Sequence, residues 1–172
     1  MIVKIILIFI LYIIILTLAY AGLKGAPWIP TKAIDLDRVL KLAQIKPGQI
    51  AYDLGCGDGR LVLALAEAGA QARGLELSIL FLVIALMRKF FHEKRGFIHF
   101  SWRDFWRVNL RDADVVYAFL TPKANAKLKN KFDVELKKGT KIITYVWPIN
   151  GWPPVKVDVC PGRPNLYLYE IS

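Results

Sequence analysis

The chain reads as an α/β domain, a mostly parallel sheet with helices on both faces, preceded by one hydrophobic helix. Three observations predict this. Short apolar runs alternate with helix-spaced segments between residues 50 and 147, the pattern of strands buried on both sides by crossover helices. A glycine-rich turn, Gly55-Cys56-Gly57-Asp58-Gly59, stands between the first such strand and the first such helix, where α/β folds place ligands. Residues 5–23 form a stretch of 19 residues without a charge.

That first stretch (IILIFILYIIILTLAYAGL) lies between Lys4 and Lys24. At 1.5 Å per residue it covers roughly 28 Å, close to the hydrocarbon thickness of a bilayer. It is apolar all round, whereas a surface helix shows one apolar stripe, so it reads as a single membrane span. Ala19-Tyr20-Ala21 matches the small-x-small pattern of a cleaved leader, but the run is longer than the apolar core of such a leader. Lys24, Lys32, Arg38 and Lys41 follow the span, against Lys4 before it, which puts the remaining chain on the cytoplasmic side. The expected organisation is an anchor over residues 1–25 and one domain over residues 26–172, of ordinary domain size.

Residues 22–31 (GLKGAPWIPT) form a connector, since helix does not continue through Pro27 or Pro30. Leu36, Val39, Leu40 and Ala43 set a short helix over 33–44, stopped at Lys46-Pro47-Gly48. Strands are then predicted over 50–54, 72–77, 97–101, 113–120 and 141–147, and helices over 59–68, 79–94 and 123–137. The last helix carries Ala124, Leu128, Phe132 and Leu136 on one stripe. Residues 155–159 and 166–171 pair as a terminal hairpin around Pro161-Gly162. The link from 147 to 155 is too short for a further helix.

The net charge is +10, from 24 Lys and Arg against 14 Asp and Glu, which suits contact with an anionic surface. Lys123, Lys127, Lys129, Lys131, Lys137 and Lys138 form either a solvated helix face or a surface turned toward anionic headgroups. The two cysteines make neither a disulfide framework nor a zinc spacing, so a reducing compartment is the default and no metal is expected. His92 and His99 are isolated and read as surface or packing residues.

The chemistry gathers at strand ends. Glycines at a strand-to-helix turn pass through positive φ and let a ligand approach the backbone. The spacing here is G-x-G-x-G, with Arg60 where a dinucleotide fingerprint needs its third glycine. Asp53, two positions before the loop, can accept from a ligand ammonium and would repel a pyrophosphate. Glu76, about 20 residues after the glycines, is placed to accept both ribose hydroxyls. Asp104, after the third strand, can accept from an exocyclic adenine amine with Trp102 or Phe105 against the ring. Cys56 fills a small-residue slot rather than acting as a nucleophile.

These residues resemble a class I S-adenosylmethionine (SAM)-dependent methyltransferase over roughly residues 26–171. A closer likeness lies in Gly25-Ala26-Pro27-Trp28-Ile29-Pro30-Thr31, Asp53-Leu54-Gly55-Cys56-Gly57-Asp58-Gly59-Arg60-Leu61-Val62, Gly74-Leu75-Glu76-Leu77, Asp104-Phe105-Trp106 and Trp147-Pro148 with Trp152. These segments are similar to a group of membrane-anchored protein-lysine methyltransferases. Its mitochondrial members modify the c subunit of ATP synthase and the adenine nucleotide translocase, and it has prokaryotic relatives.

The resemblance implies a seven-stranded Rossmann-like sheet, parallel except for one strand of the hairpin. It implies SAM as cofactor, leaving as S-adenosylhomocysteine, held by Asp53, Gly55, Cys56, Gly57, Gly59, Glu76, Leu77, Asp104 and Phe105. Pro30 and Thr31 would lie near the methionine end. It implies methylation of a lysine in a membrane protein. Phe119-Leu120-Thr121-Pro122 replaces the Asn/Asp-Pro-Pro-Tyr motif of amino-group DNA methyltransferases, so nucleic acid is not the favoured partner. A lysine amine must lose its proton before attack, and an apolar tunnel favours the neutral form by desolvation. Tyr145, Trp147, Trp152 and Trp106 are its candidate walls, and no catalytic base stands out. Two other readings stand beside this one: methylation of a lipid headgroup or small molecule, and a non-catalytic SAM-binding assembly factor.

Overall fold

The computed structural model describes residues 1–24 and 28–172. Gly25, Ala26 and Pro27, and with them the expected boundary between anchor and domain, lie outside the described residues. Seven strands form one sheet: β1 Ile50–Leu54, β2 Gln71–Glu76, β3 Ile98–Trp102, β4 Val115–Ala118, β5 Lys141–Tyr145, β6 Lys156–Asp158 and β7 Leu166–Glu170. Their order is β3-β2-β1-β4-β5-β7-β6. β1 to β5 pair in parallel, and β7 runs antiparallel to both β5 and β6. This is the sheet that the resemblance implies, seven strands with one of them reversed.

The helices are α1 Ile2–Lys24, α2 Leu36–Ala43, α3 Arg60–Glu67, α4 Ile79–Phe90 and α5 Pro122–Glu135. Strand side chains alternate between faces, so each central strand feeds two cores. Ala51, Val115, Tyr117 and Ile143 pack with Val39 and Leu42 of α2 and Leu61 and Leu65 of α3. Leu54, Val116, Ala118 and Ile142 pack with Leu128 and Phe132 of α5. Both clusters are closed to water, and each apolar side chain so buried contributes about 1.5–3 kcal/mol.

Several boundaries differ from the sequence reading. Residues 33–44 split into a 3₁₀ turn, Ala33–Asp35, followed by α2. α4 stops at Phe90 rather than 94, because the His92 ring accepts from the Lys94 N–H and bonds Glu67, competing with further helix. α5 begins at Pro122, with the Thr121 hydroxyl accepting from the Ala124 N–H at 3.3 Å. β4 ends at Ala118, which frees Phe119 and Leu120 to face a cleft. Residues 146–155 hold no helix, as their length required.

A buried ionic group ties the start of the domain to its hairpin. Asp35 is fully buried, pairs with Arg38 at 2.9 Å and accepts the Tyr145 hydroxyl at 2.7 Å. Arg38 in turn pairs with Asp158 at 2.6 Å. Burial acts to raise the Asp35 carboxyl, and the Tyr145 hydroxyl and the Arg38 guanidinium outweigh it, leaving it below the usual carboxylate range.

Candidate active site

The site forms where β1 and β2 end side by side. β1 runs into Gly55 (φ 80°), Gly57 (φ 53°) and Gly59 (φ 78°) before α3 begins. The loop is pinned to β2, since the N–H groups of Gly55 and Cys56 both donate to the Leu75 carbonyl, at 2.9 and 3.0 Å. Gly74 of β2 lies so close that a Cβ there would stand 2.6 Å from Cys56 Sγ. Burial, with Asp53 and Glu76 nearby, pushes the Cys56 thiol well up, which suits the packing role and not a nucleophile.

Glu76 closes β2 and faces back into the loop. Its Oε2 accepts from the Gly57 N–H at 2.8 Å, and its Oε1 accepts from the N–H groups of Leu77 (2.9 Å) and Ser78 (2.7 Å). Asp53 is only 4% exposed, and among the described residues no hydrogen bond to its carboxyl is seen. Burial raises its pKa to about 8, with Glu76 and then Asp58 adding to the shift. Asp58, by contrast, pairs with Arg60 at 2.7 Å and Arg88 at 3.1 Å.

Trp28 lies across this loop. A Cβ on Gly57 would meet Trp28 Nε1 at 2.6 Å, and the Trp28 ring stacks on Phe81 of α4 with centroids 4.2 Å apart. Trp28 and Ile29 thereby border two compartments. One, the larger, is lined by Glu76, Leu77, Ser78, Phe81, Phe105 and Phe119 among others. The second is lined by Pro30, Thr31, Asp53, Gly57, Asp58 and Tyr117 among others. The Thr31 and Tyr117 hydroxyls share a hydrogen bond of 2.7 Å. A compartment walled by several aromatic and aliphatic side chains and edged by a strand-end carboxylate suits a nucleoside. A buried carboxylate without a partner suits a cation.

The expected site residues are brought together in most cases. Asp53, Gly55, Cys56, Gly57, Glu76, Leu77, Phe105, Pro30 and Thr31 all line one or both compartments. Gly59 supplies the left-handed residue before α3. Asp104 does not line them. Its Oδ1 caps the 3₁₀ turn Phe105–Arg107 by accepting from the Trp106 N–H at 3.0 Å, and it opens on a neighbouring groove.

The four aromatic tunnel candidates are not brought together. Tyr145 is core, edge-on to Phe119 and bonded to Asp35. Trp147 is exposed, with its carbonyl accepting from Asn125 and Thr144. Trp152 packs on Tyr169. Trp106 donates from Nε1 to the Lys24 carbonyl at 2.9 Å and lines the groove. Of the six lysines noted on and after α5, three hold ion pairs: Lys129 with Asp133, Lys131 with Glu135 and Lys137 with Asp114. Lys123 and Lys127 line the groove beside Lys24.

Sequence reasoning missed part of the wall altogether. Leu18, Ala21 and Gly22, the end of α1, line the larger compartment. Two small residues at the end of an otherwise bulky apolar run were the available signal.

The chain is similar to several known proteins. Residues 53–156 match the model of the ANTKMT methyltransferase domain. The chain is 33% identical over 151 residues to a protein-lysine N-methyltransferase of Saccharolobus islandicus, covering 85% of this chain and 94% of that one. It is 32% identical over 146 residues to the adenine nucleotide translocase lysine N-methyltransferase of Mus musculus, covering 84% of this chain and spanning 63% of that protein's length. Among solved structures, an RNA methyltransferase from Salinibacter ruber in complex with S-adenosylhomocysteine superposes with a TM-score of 0.80 at 28% identity. That match covers 83% of this chain and 94% of the other.

Proposed function

Because the chain belongs to the ANTKMT methyltransferase family and is a SAM-dependent methyltransferase, we propose that it is a membrane-anchored protein-lysine N-methyltransferase acting on a membrane protein. The observation that carries this is the cleft wall. Leu18, Ala21 and Gly22 belong both to the cofactor cleft and to a helix long and apolar enough to cross a membrane. The methyl donor is therefore held at the foot of that helix. Lysine as the acceptor draws on the relatives, whose names assign it to them. The anchor is residues 1–25, the transferase domain is 26–172, and the domain lies on the cytoplasmic side.

The described residues fit SAM. Asp53, buried and without a partner among the described residues, would hold the ammonium of the methionine end, beside Thr31 and the Gly55–Gly57 backbone. Glu76 would take the ribose hydroxyls on lone pairs its three backbone donors leave free, with Leu77 and Phe105 beside the base. When bound, SAM supplies an electrophilic methyl on sulfonium sulfur. The chain's part is to orient the acceptor amine and exclude water. Phe119, Leu120 and Trp28 give the cleft apolar walls, which disfavour the charged form of an entering amine. Asp104 caps the turn that carries Phe105, so it acts as a positioning residue.

Membranes incubated with the purified full chain and methyl-labelled SAM test the acceptor. Label recovered as methyl-lysine after protein hydrolysis is the expected result. Label confined to lipid, small molecules or RNA overturns it.

A further inference from the structure

α1 is not free along its length. Ile2 to Tyr12 are exposed, whereas Ile13, Ile14, Thr17, Leu18, Ala21 and Gly22 are half-buried on one stripe. That stripe packs against the domain. α4 is the principal contact, and Thr17 Oγ1 accepts from the Ile79 N–H at 3.4 Å where α4 begins. The C-terminal end is held as well, through Trp106 and the Lys24 carbonyl.

The free part is too short to cross a bilayer. Residues 2–12 rise about 16 Å as helix, against a hydrocarbon core of about 30 Å. If α1 spans that core, the remaining depth is covered by the turns that touch α4. The beginning of α4 then sits below the membrane surface and not above it.

α4 has the side chains for that position. Val83, Leu86, Met87 and Phe90 follow i, i+3, i+4, i+7 spacing and are 47, 45, 59 and 67% exposed. This is one apolar stripe turned outward, with no acid anywhere in the helix. Arg88 is turned back onto Asp58 at 3.1 Å, off that face. Glu93, Lys94 and Arg95 follow the helix and are exposed, where a headgroup layer would accept them. A soluble domain rarely leaves such a patch uncovered.

We propose that α4 is a second membrane contact. Its outer stripe lies in the acyl–headgroup boundary of the bilayer that α1 crosses, so the domain is partly sunk into the leaflet. This rests on α1 being a membrane span, and the two ideas fail separately in the following experiment. The full chain, with the half-buried Cys160 removed as Cys160→Ser and the buried Cys56 retained, is reconstituted in phosphatidylcholine vesicles. A fluorophore is placed at Ile8→Cys, Met87→Cys or Lys46→Cys, and lipids brominated in the acyl chains serve as quencher. Quenching at 87 of at least half that at 8, with none at 46, is expected. Phe90→Cys repeats the measurement should the Met87 variant fold poorly. Quenching at 8 with position 87 behaving like 46 overturns the α4 contact and leaves the anchor standing. No quenching at 8 overturns the span, and this proposal with it.

Discussion

Asp53 and Glu76 face the same glycine loop, yet the Glu76 carboxylate accepts three backbone N–H groups and Asp53 accepts none among the described residues. The fold surrounds one carboxylate with donors and, among the described residues, offers the other none. The pKa of about 8 at Asp53 expresses that difference.

Replacing Asp53 with Asn should stabilise the ligand-free enzyme and abolish cofactor binding. A carboxyl whose folded pKa of about 8 exceeds its ordinary 3.8 binds more protons folded than unfolded in between. Its contribution to stability is therefore full below pH 4 and is lost as pH rises through 8. At pH 8 the variant escapes that loss, and its melting temperature should rise by about 2–4 °C per kcal/mol relieved. Calorimetric melting in detergent and SAM titration check both halves. A lower melting temperature would show that Asp53 is already compensated.

Cofactor affinity should rise with pH. If the ionised Asp53 holds the ammonium of SAM, each unit of pH below the pKa of about 8 costs roughly tenfold in the dissociation constant. Titrations between pH 6 and 8 should show this slope in the wild type. Equal constants at both ends would remove Asp53 from the cation site.

Tyr145→Phe should leave methyl transfer intact while weakening the fold. The hydroxyl donates to a buried carboxylate at 2.7 Å, and hydrogen bonds to charged groups contribute about 1.5–3 kcal/mol. A lowered denaturant midpoint with unchanged methyl incorporation per folded molecule is expected. Loss of turnover at full stability would return Tyr145 to the acceptor path.

Ala21→Phe should damage cofactor binding from within the apolar helix. Ala21 lines the larger compartment, and a benzyl group there takes ligand space. The dissociation constant for SAM should rise about tenfold or more, a change of about 1.4 kcal/mol, with membrane insertion unaltered. Unchanged affinity would show that the wall formed by α1 lies off the ligand.

Much of this was legible because it is local. β1 and its loop are contiguous, and Glu76 closes the next strand, so adjacent strands bring them together without further assumption. The aromatic candidates were harder because their destination depends on tertiary contacts. Tyr145 shares the parity of Ile143 and so points into the α2/α3 core, where its partner Asp35 lies 110 residues away. α1 hid its packed stripe because all its faces are apolar, so no polar side marked the other. Trp28 was visible only as an aromatic in a proline-bearing connector, and its place over Gly57 is a contact through space.

With Leu18, Ala21 and Gly22 in the cleft, the proposed anchor would also be a wall of the proposed catalytic compartment. A proteolytic cut in the connector would release a domain with its sheet intact and its cofactor pocket missing a side. On the reading proposed above, fragments shed from the membrane would lose methyl transfer together with that wall.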